Sequence, residues 1–222
     1  MKQFDRVRIA DVLQEGARSL NVAVSHAQIE KLLDYLALMI KWNGVYNLTA
    51  VRDPAQMVTQ HLLDSLAVVP AFANAKNVLD VGAGGGLPGI VLAIWAAEAN
   101  PQMQVSMIDT VHKKTAFLTQ VKAELKLQNV TIYTARVEQL QVAQKFDAIT
   151  SRAFAELTDF VTWSVHLLAE GGQFIAMKGV MPADEIERMP KGWRVQKSEK
   201  LNVPGLSAER HLIFIQRDTE PV

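Results

Sequence analysis

The chain has 222 residues, of which 49% are hydrophobic and 21% are charged, a composition typical of a globular protein with a large buried core. It contains no cysteine, which excludes disulfides, thiolate metal sites and cysteine nucleophiles, and no stretch approaches the roughly 20 apolar residues of a membrane span. Lysine plus arginine and aspartate plus glutamate both number 23, so the net charge alone predicts no nucleic-acid partner. We expect a soluble, cytoplasmic protein, and a monomer because no long apolar heptad pattern indicates a dimer helix.

The first part of the chain has helical periodicity. Apolar residues recur every three or four positions between residues 29 and 40, and Ser25 stands where a helix N-cap is expected. A further helix is predicted to begin at Asp53-Pro54, with the aspartate as cap and the proline in the first turn. We therefore predict that residues 1–72 form an N-terminal helical extension and that residues 73–222 form the main domain.

In the main domain, short apolar runs alternate with longer amphipathic stretches, which is typical of βαβ units around a parallel sheet. The predicted strands are Asn77–Val81, Gln104–Asp109, Val130–Thr134, Ala148–Ser151 and Gln173–Met177, and the predicted helices are Pro88–Glu98, Lys113–Leu125 and Phe160–Leu168. Two β-rich runs, Val195–Leu201 and His211–Gln216, flank Pro204-Gly205 and predict a terminal antiparallel pair. The expected fold is a Rossmann-like α/β fold whose sheet is mostly parallel.

A glycine cluster follows the first predicted strand of this sheet. The segment reads Asp80-Val-Gly82-Ala-Gly84-Gly-Gly86-Leu87-Pro-Gly89. Glycine lets the backbone turn sharply and lets a ligand approach main-chain atoms, and the cluster lies at the carboxyl edge, where open α/β sheets bind ligands. The pattern predicts a nucleotide pocket.

The residues leave the identity of the nucleotide open. Gly84, Gly86 and Gly89 satisfy the G-x-G-x-x-G spacing of NAD-binding proteins. Asp80 favours S-adenosylmethionine, because a carboxylate beside the loop repels a pyrophosphate and attracts the ammonium of a methionine moiety. A glycine-rich turn without a ligand is less favoured, since so many glycines weaken a turn that has no function.

Two more strand ends contribute to the predicted pocket. Asp109 ends the second predicted strand, near the separation at which an acid binds ribose hydroxyls, although a surface aspartate is the alternative. Val137 and Glu138 follow the third predicted strand, where the valine is suited to pack on adenine and the glutamate or nearby backbone to bond to its edge.

Several segments spread along the chain carry a family resemblance. They are Lys41-Trp42-Asn43, Tyr46-Asn47-Leu48-Thr49, Arg52-Asp53-Pro54, His61-Leu62-Leu63-Asp64-Ser65, the glycine cluster, Ser151-Arg152-Ala153-Phe154, Lys178-Gly179 and Glu209-Arg210-His211-Leu212. Together they resemble the bacterial small-subunit ribosomal RNA guanine-N7 methyltransferase family, also called RsmG or GidB. The resemblance extends from about Ser25 to Gln216.

This resemblance implies a class I S-adenosylmethionine-dependent methyltransferase fold and an enzyme that methylates N7 of a specific guanine in small-subunit (16S) rRNA. The substrate is the rRNA or the assembled small ribosomal subunit. The resemblance implies that S-adenosylmethionine is contacted at Gly82, Leu87, Val137, Glu138 and Arg152. With the loop and strand-end residues, the predicted cofactor-binding set is Asp80, Gly82, Gly84, Gly86, Leu87, Asp109, Val137, Glu138 and Arg152.

The predicted substrate-binding residues are His61, Asp64, Ser65, Arg152, Lys178 and Arg210. The first three share one helix face, and capping and helix packing explain them equally well. Lys178 and Arg210 are candidates for rRNA phosphates. Seven basic and two acidic residues lie between Arg188 and Arg217, which predicts either a basic patch or the solvated face of a hairpin.

The chemistry of guanine N7 predicts that no residue acts as a general base and that no metal is needed. N7 has an exposed lone pair in the major-groove edge and attacks a methyl group without first losing a proton, so catalysis requires alignment. An arginine bonded to N7 would block the reacting lone pair, so any arginine should contact O6 or phosphate. Three rivals stay open on the residues alone: an NAD-dependent oxidoreductase, a non-catalytic RNA-binding or ribosome-assembly factor, and a methyltransferase of small molecules or proteins.

Overall fold

The N-terminal helices begin where the sequence supplies caps. In the computed structural model, which describes residues 4–218, the Ser25 hydroxyl accepts a hydrogen bond from Gln28 N (3.1 Å) and the Gln28 side chain accepts one from Ser25 N (2.8 Å). Asp53 caps the next segment through Ala55 N (3.0 Å), and Pro54 occupies its first turn, so both predicted caps are confirmed. The elements are α1 (Arg6–Ser19), α2 (His26–Tyr46), α3 (Pro54–Met57), a π-helical turn (Val58–Leu63), α4 (Asp64–Leu66) and a 3-10 turn (Val69–Phe72).

A seven-stranded sheet forms the centre of the molecule. Its strands are β1 (Asn77–Val81), β2 (Gln104–Asp109), β3 (Val130–Thr134), β4 (Phe146–Arg152), β5 (Leu168–Lys178), β6 (Trp193–Lys200) and β7 (His211–Arg217), in the spatial order β3-β2-β1-β4-β5-β7-β6. Strands β1 to β5 are parallel, and β7 lies antiparallel between β5 and β6. The predicted mixed sheet and its terminal antiparallel pair are confirmed.

Four further helices accompany the sheet: α5 (Gly89–Ala99), α6 (His112–Glu124), α7 (Leu157–Ser164) and α8 (Ala183–Glu187). The prediction of a helix reaching Leu168 is wrong, because α7 ends at Ser164 and Leu168 begins β5 by pairing with Phe146. A short apolar run is compatible with helix or strand, and only the pairing partner decides between them.

The N-terminal helices share one hydrophobic core with the sheet. Helix α5 is apolar on nearly all sides and is buried except near its end, as expected for a helix covered on both faces. Helix α2 packs against it, with Leu33 and Leu36 in the same core cluster as Ile90. The Gln28 amide also donates to Trp95 O (2.8 Å) in α5. The division into an extension and a main domain at residues 72 and 73 stays a prediction.

The strand order creates a crevice at the carboxyl ends of β1 and β4. β1 pairs with β2 on one side and with β4 on the other, so the connections leave β1 and β4 in opposite directions. The glycine cluster follows β1, and Arg152 ends β4. No helix within residues 4–218 has the length and apolar character needed to cross a bilayer.

Candidate active site

Two adjoining cavities open at the carboxyl edge of the sheet. The first, of about 480 Å³, is lined by Met39, Leu48, Thr49, Asp64, Gly82, Ala83, Gly84, Gly85, Leu87, Lys114, Arg152, Ala153, Met177, Lys178, Gly179 and Arg210. The second, of about 440 Å³, is lined by Val81, Gly82, Ile108, Asp109, Thr110, Val111, Lys114, Ala135, Arg136, Val137, Glu138, Ala153, Phe154 and Trp163. Gly82, Lys114 and Ala153 border both, so one elongated ligand has room to extend from one cavity into the other.

The glycine loop forms the wall between the cavities. Gly82, Gly84 and Gly86 have φ angles of +66°, +56° and +88°, in the left-handed region that favours glycine. A Cβ at Gly82 would lie 2.4 Å from the Phe154 ring, whereas a Cβ at Gly84 would meet only Gly82 O, at 3.8 Å. The loop therefore offers open main chain to a ligand at Gly84 and close packing at Gly82.

Asp80 lies beneath this loop and borders neither cavity. It is fully buried, and its Oδ2 accepts a hydrogen bond from Gly89 N (2.9 Å) at the start of α5. Burial is the main cause that raises the pKa of the Asp80 carboxyl to about 7. The structure therefore places Asp80 where it holds the loop against α5. The attraction of its carboxyl for a cofactor ammonium stays a prediction.

Asp109 connects the loop to the second cavity. Its Oδ2 accepts a hydrogen bond from Gly84 N (3.0 Å) and lies 3.5 Å from Lys114 Nζ, and its Oδ1 accepts from Val111 N (2.9 Å). A carboxylate has about four lone-pair positions, so these contacts leave acceptor capacity for hydroxyl groups. Asp109 is thus fixed in orientation at the border of the cavity.

Apolar side chains form the far part of the second cavity. Val137 is buried in a 3-10 turn after β3, and Glu138 beside it is exposed. Phe154 and Trp163 meet edge to face with ring centroids 5.9 Å apart. Sequence reasoning placed Val137 and Glu138 here but assigned no role to the two aromatic residues, because Trp163 comes from α7 and no local motif marks it.

A buried carboxylate holds two arginines at the first cavity. Asp64 is fully buried, its Oδ2 accepts from Arg152 Nη1 (3.2 Å) and its Oδ1 accepts from Arg210 Nε (2.7 Å). Arg152 Nη1 also donates to Gln60 O (3.1 Å). Two cations share one anion, so the cluster has a net positive charge directed at the cavity.

His61 and Ser65 lie behind the cavity lining. His61 is buried, and its Nε2 lies 2.9 Å from Thr49 Oγ1, which does border the cavity. Burial first, and the charge of Arg152 second, lower the pKa of His61 to about 4, so the ring is neutral at pH 7. Ser65 is fully buried. These positions favour the packing explanation for both residues over direct contact with a substrate.

Lys178 and the basic C-terminal stretch are largely ion-paired. Lys178 Nζ borders the first cavity and bonds to Glu185 Oε2 (2.7 Å) and Ala155 O (2.9 Å). In the C-terminal stretch the pairs are Arg188 with Glu156, Arg194 with Asp218, Lys197 with Glu199, Lys200 with Glu209 and Arg210 with Asp64. This pairing favours the solvated hairpin over a free basic patch. Lys114, which borders both cavities, is a basic residue that the sequence reasoning missed.

The comparisons with known proteins agree with this geometry. The family model described as rRNA small subunit methyltransferase G matches residues 28–213. The chain belongs to this family. It is 72% identical to the ribosomal RNA small subunit methyltransferase G of Janthinobacterium sp. (strain Marseille), covering 98% of this chain and 99% of that protein. It is 56% identical to the protein of the same name from Burkholderia pseudomallei (strain 1106a), covering 96% and 93%.

Solved structures share the fold. A ribosomal protein L11 methylase from Lactobacillus delbrueckii subsp. bulgaricus superposes with a TM-score of 0.54 at 20% identity, over 70% of this chain and 76% of that one. The N-methyltransferase NodS from Bradyrhizobium japonicum WM9, in complex with S-adenosyl-L-homocysteine, gives 0.52 at 15% identity, over 82% and 100%. The class I methyltransferase fold, the family resemblance and the assignment as an S-adenosylmethionine-dependent rRNA methyltransferase are confirmed.

Proposed function

We propose that this member of the rRNA small subunit methyltransferase G family binds S-adenosylmethionine across the two cavities and transfers its methyl group to N7 of a guanine in small-subunit (16S) rRNA. The observation that carries the proposal is the junction of the cavities at Gly82, with a carboxylate-lined, apolar chamber on one side and an arginine-lined chamber on the other.

The second cavity fits the nucleoside part of the cofactor. Asp109 has acceptor capacity for two ribose hydroxyls, and Val137 offers an apolar surface for adenine beside the Glu138 backbone and side chain. The open backbone at Gly84 and the left-handed turn at Gly82 leave room for the methionine part next to the loop. Leu87 borders the first cavity, whereas Gly86 borders neither cavity and packs closely against Ile90 and Leu118, so it shapes the loop from beneath.

The first cavity fits a guanine and its phosphate. Arg152 and Arg210 border it with fixed orientations, because Asp64 bonds to both. Guanidinium groups bond well to O6 and to phosphate oxygens, and either contact leaves N7 free. Lys178 borders the same cavity and would contact a phosphate oxygen once its hydrogen bond to Glu185 is replaced by one to the phosphate. His61 and Ser65 support this surface from behind.

The reaction requires alignment more than acid-base chemistry. When bound, S-adenosylmethionine supplies an electrophilic methyl group. Guanine N7 carries no proton, so no residue of this chain has to remove one, and His61 is neutral and buried behind Thr49. The residues therefore contribute orientation by the two arginines and exclusion of water by Met39, Leu48 and Leu87.

The active form is proposed to be a monomer, since the sequence has no long apolar heptad pattern that would indicate a dimer helix. A ribosomal RNA substrate supports a cytoplasmic location. The net charge of zero supports an assembled small subunit over naked rRNA as the better substrate, because few phosphates would be neutralised by unpaired cations.

The proposal is tested with labelled S-adenosylmethionine and three substrates: naked small-subunit rRNA, assembled small subunits and whole ribosomes. We expect label in a single guanine, located by chemical cleavage selective for 7-methylguanosine, and no label with Arg152→Ala. Label in protein or at another guanine atom would contradict the proposal. RNA binding without any transfer would identify the non-catalytic alternative.

A further inference from the structure

Four aromatic side chains form a ladder from the glycine loop to the protein surface. The aromatic ladder consists of Tyr35, Phe117, Trp42 and Tyr46, with successive ring centroids 6.3, 5.6 and 5.0 Å apart. At the inner end, the Tyr35 hydroxyl donates to Gly85 O in the loop. At the outer end, Tyr46 is 42% exposed. Tyr35 and Phe117 are fully buried in the core, whereas the last ring is only partly covered by the described residues.

Tyr46 precedes the segment that enters the first cavity. It is the last residue of α2, and Asn47, with a φ of 51°, turns the chain so that Leu48 and Thr49 border the cavity. Trp42, on which Tyr46 packs, is itself fixed by a hydrogen bond from its Nε1 to Gln120 Oε1 (3.0 Å). The Tyr46 ring is thus supported on one side by a fixed partner and accessible from solvent.

Exposed apolar side chains adjoin, along the chain, two of the segments that line the first cavity. Val45, 70% exposed, precedes Tyr46, and Val180 and Met181, 74% and 39% exposed, follow the cavity residues Lys178 and Gly179. Seven large apolar side chains are exposed among residues 4–218, and these four all belong to the two segments that enter the first cavity. Clustered exposed apolar groups indicate a surface that a partner covers.

Cations in the same segment as Tyr46 indicate the chemistry of that partner. Lys41 is exposed on the same end of α2 and forms no ion pair within the described residues, and Arg52 is exposed with one guanidinium nitrogen bonded to Asn47 Oδ1 (2.6 Å). An exposed aromatic ring with cations in the same segment is an arrangement by which proteins bind single-stranded nucleic acid, because bases stack on the ring and phosphates meet the cations. The segment continues directly into Leu48 and Thr49, which border the cavity proposed for the target guanine.

We propose that Tyr46 stacks on an unpaired base adjacent to the target guanine in the rRNA, with Lys41 and Arg52 contacting the flanking phosphates. The inference rests on the proposed function, because it takes the first cavity as the guanine site. Stacking on that base fixes the strand next to the target nucleotide and so helps to select which guanine enters the cavity.

The test is steady-state methyl transfer at saturating S-adenosylmethionine with varied rRNA substrate. Tyr46→Ala should raise the KM for rRNA about tenfold with little change in kcat, since one base-stacking contact is lost. Tyr46→Phe should behave as wild type, because a phenyl ring keeps the stacking face. The dissociation constant of S-adenosylmethionine, measured by calorimetry, should not change in either variant.

Salt dependence tests the cations. Lys41→Ala should lower the slope of log binding constant against log salt by about one, measured with labelled small-subunit rRNA. Lys145→Ala is the matched control, because Lys145 is an exposed lysine before β4, at the opposite edge of the sheet. Its slope should equal that of the wild type.

An rRNA with an abasic nucleotide next to the target guanine completes the test. With the abasic nucleotide on one side of the guanine, rRNA binding by the wild type should weaken by the same factor as the Tyr46→Ala substitution causes with intact rRNA. The same lesion should not weaken rRNA binding by Tyr46→Ala any further. The inference would be overturned if abasic lesions on both sides of the guanine and Tyr46→Ala lowered rRNA affinity independently. It would also be overturned if Tyr46→Phe and Tyr46→Ala lost the same rRNA affinity, or if kcat fell together with cofactor affinity. Losses confined to protein-bearing subunits would point to a ribosomal protein and also overturn it. Failure of the wild type to methylate any rRNA refutes the proposed function instead.

Discussion

Removing the charge of Asp64 should disorganise the first cavity. In Asp64→Asn the side chain keeps its shape, but two guanidinium groups lose their shared carboxylate. A hydrogen bond to a charged group contributes about 1.5–3 kcal/mol, and the two arginine side chains are about one-quarter exposed, so solvent screening lowers the sum. We expect the free energy of unfolding to fall by about 2–3 kcal/mol.

For a chain of this size, that loss corresponds to a decrease in Tm of roughly 5–10 °C. The kcat/KM for rRNA should fall at least about tenfold, because Arg152 and Arg210 lose their fixed orientation. Urea unfolding and methyl transfer measure the two effects. Asp34→Asn is the matched control: Asp34 pairs with Arg6 (2.8 Å) but is exposed, so its loss should cost less than about 1 kcal/mol. If both variants unfold at the same urea concentration and retain activity, Asp64 does not organise the site.

Three further changes test the loop and its acids. Gly82→Ala should weaken S-adenosylmethionine binding at least about tenfold by calorimetry, because the new Cβ would lie 2.4 Å from Phe154 at a φ of +66°. The matched control is Gly171→Ala, at a φ of +72° with nothing within 4 Å of the new Cβ, which should lower stability and leave cofactor affinity unchanged. Asp109→Asn should also weaken cofactor binding about tenfold. If the variant bound adenosine as tightly as the wild type, Asp109 would not contact the ribose. For Asp80 the folded pKa of about 7 lies above the ordinary aspartate pKa of 3.8, so between these values the folded state holds a proton that the unfolded state has lost. Stability therefore falls as pH rises through this window. Asp80→Asn should therefore gain about 2–3 kcal/mol relative to wild type between pH 5 and pH 8 in urea unfolding, and a constant difference would disprove the raised pKa.

Much of the fold follows from local signals. The bounds of β1, β2 and β3 agree with the predicted strands, because each is a short apolar run between clear turn residues. The caps at Ser25 and Asp53 act over three and two residues, respectively, and were readable in the same way. The glycine cluster marked the ligand crevice because positive φ angles require glycine within a few positions of one another.

Other features depend on contacts between distant parts of the chain. No local pattern predicts the π-helical turn of residues 58–63, the site aromatic Trp163, or the early start of β5 at Leu168. Asp80 was readable as an acid beside the loop, but its burial beneath the loop depends on how α5 covers the sheet.

The sequence by itself determined the order of the elements, the crevice at the end of β1 and the family of the chain, because caps, periodicity and motifs are short-range properties. Only the tertiary structure decided that Asp64 joins Arg152 and Arg210, which lie 88 and 146 residues further along the chain. The same is true of Tyr46, whose exposed ring packs on Trp42, which in turn packs on Phe117 of α6. Burial and ion pairing are set by which distant segments meet, and that information is not contained in any single stretch of residues.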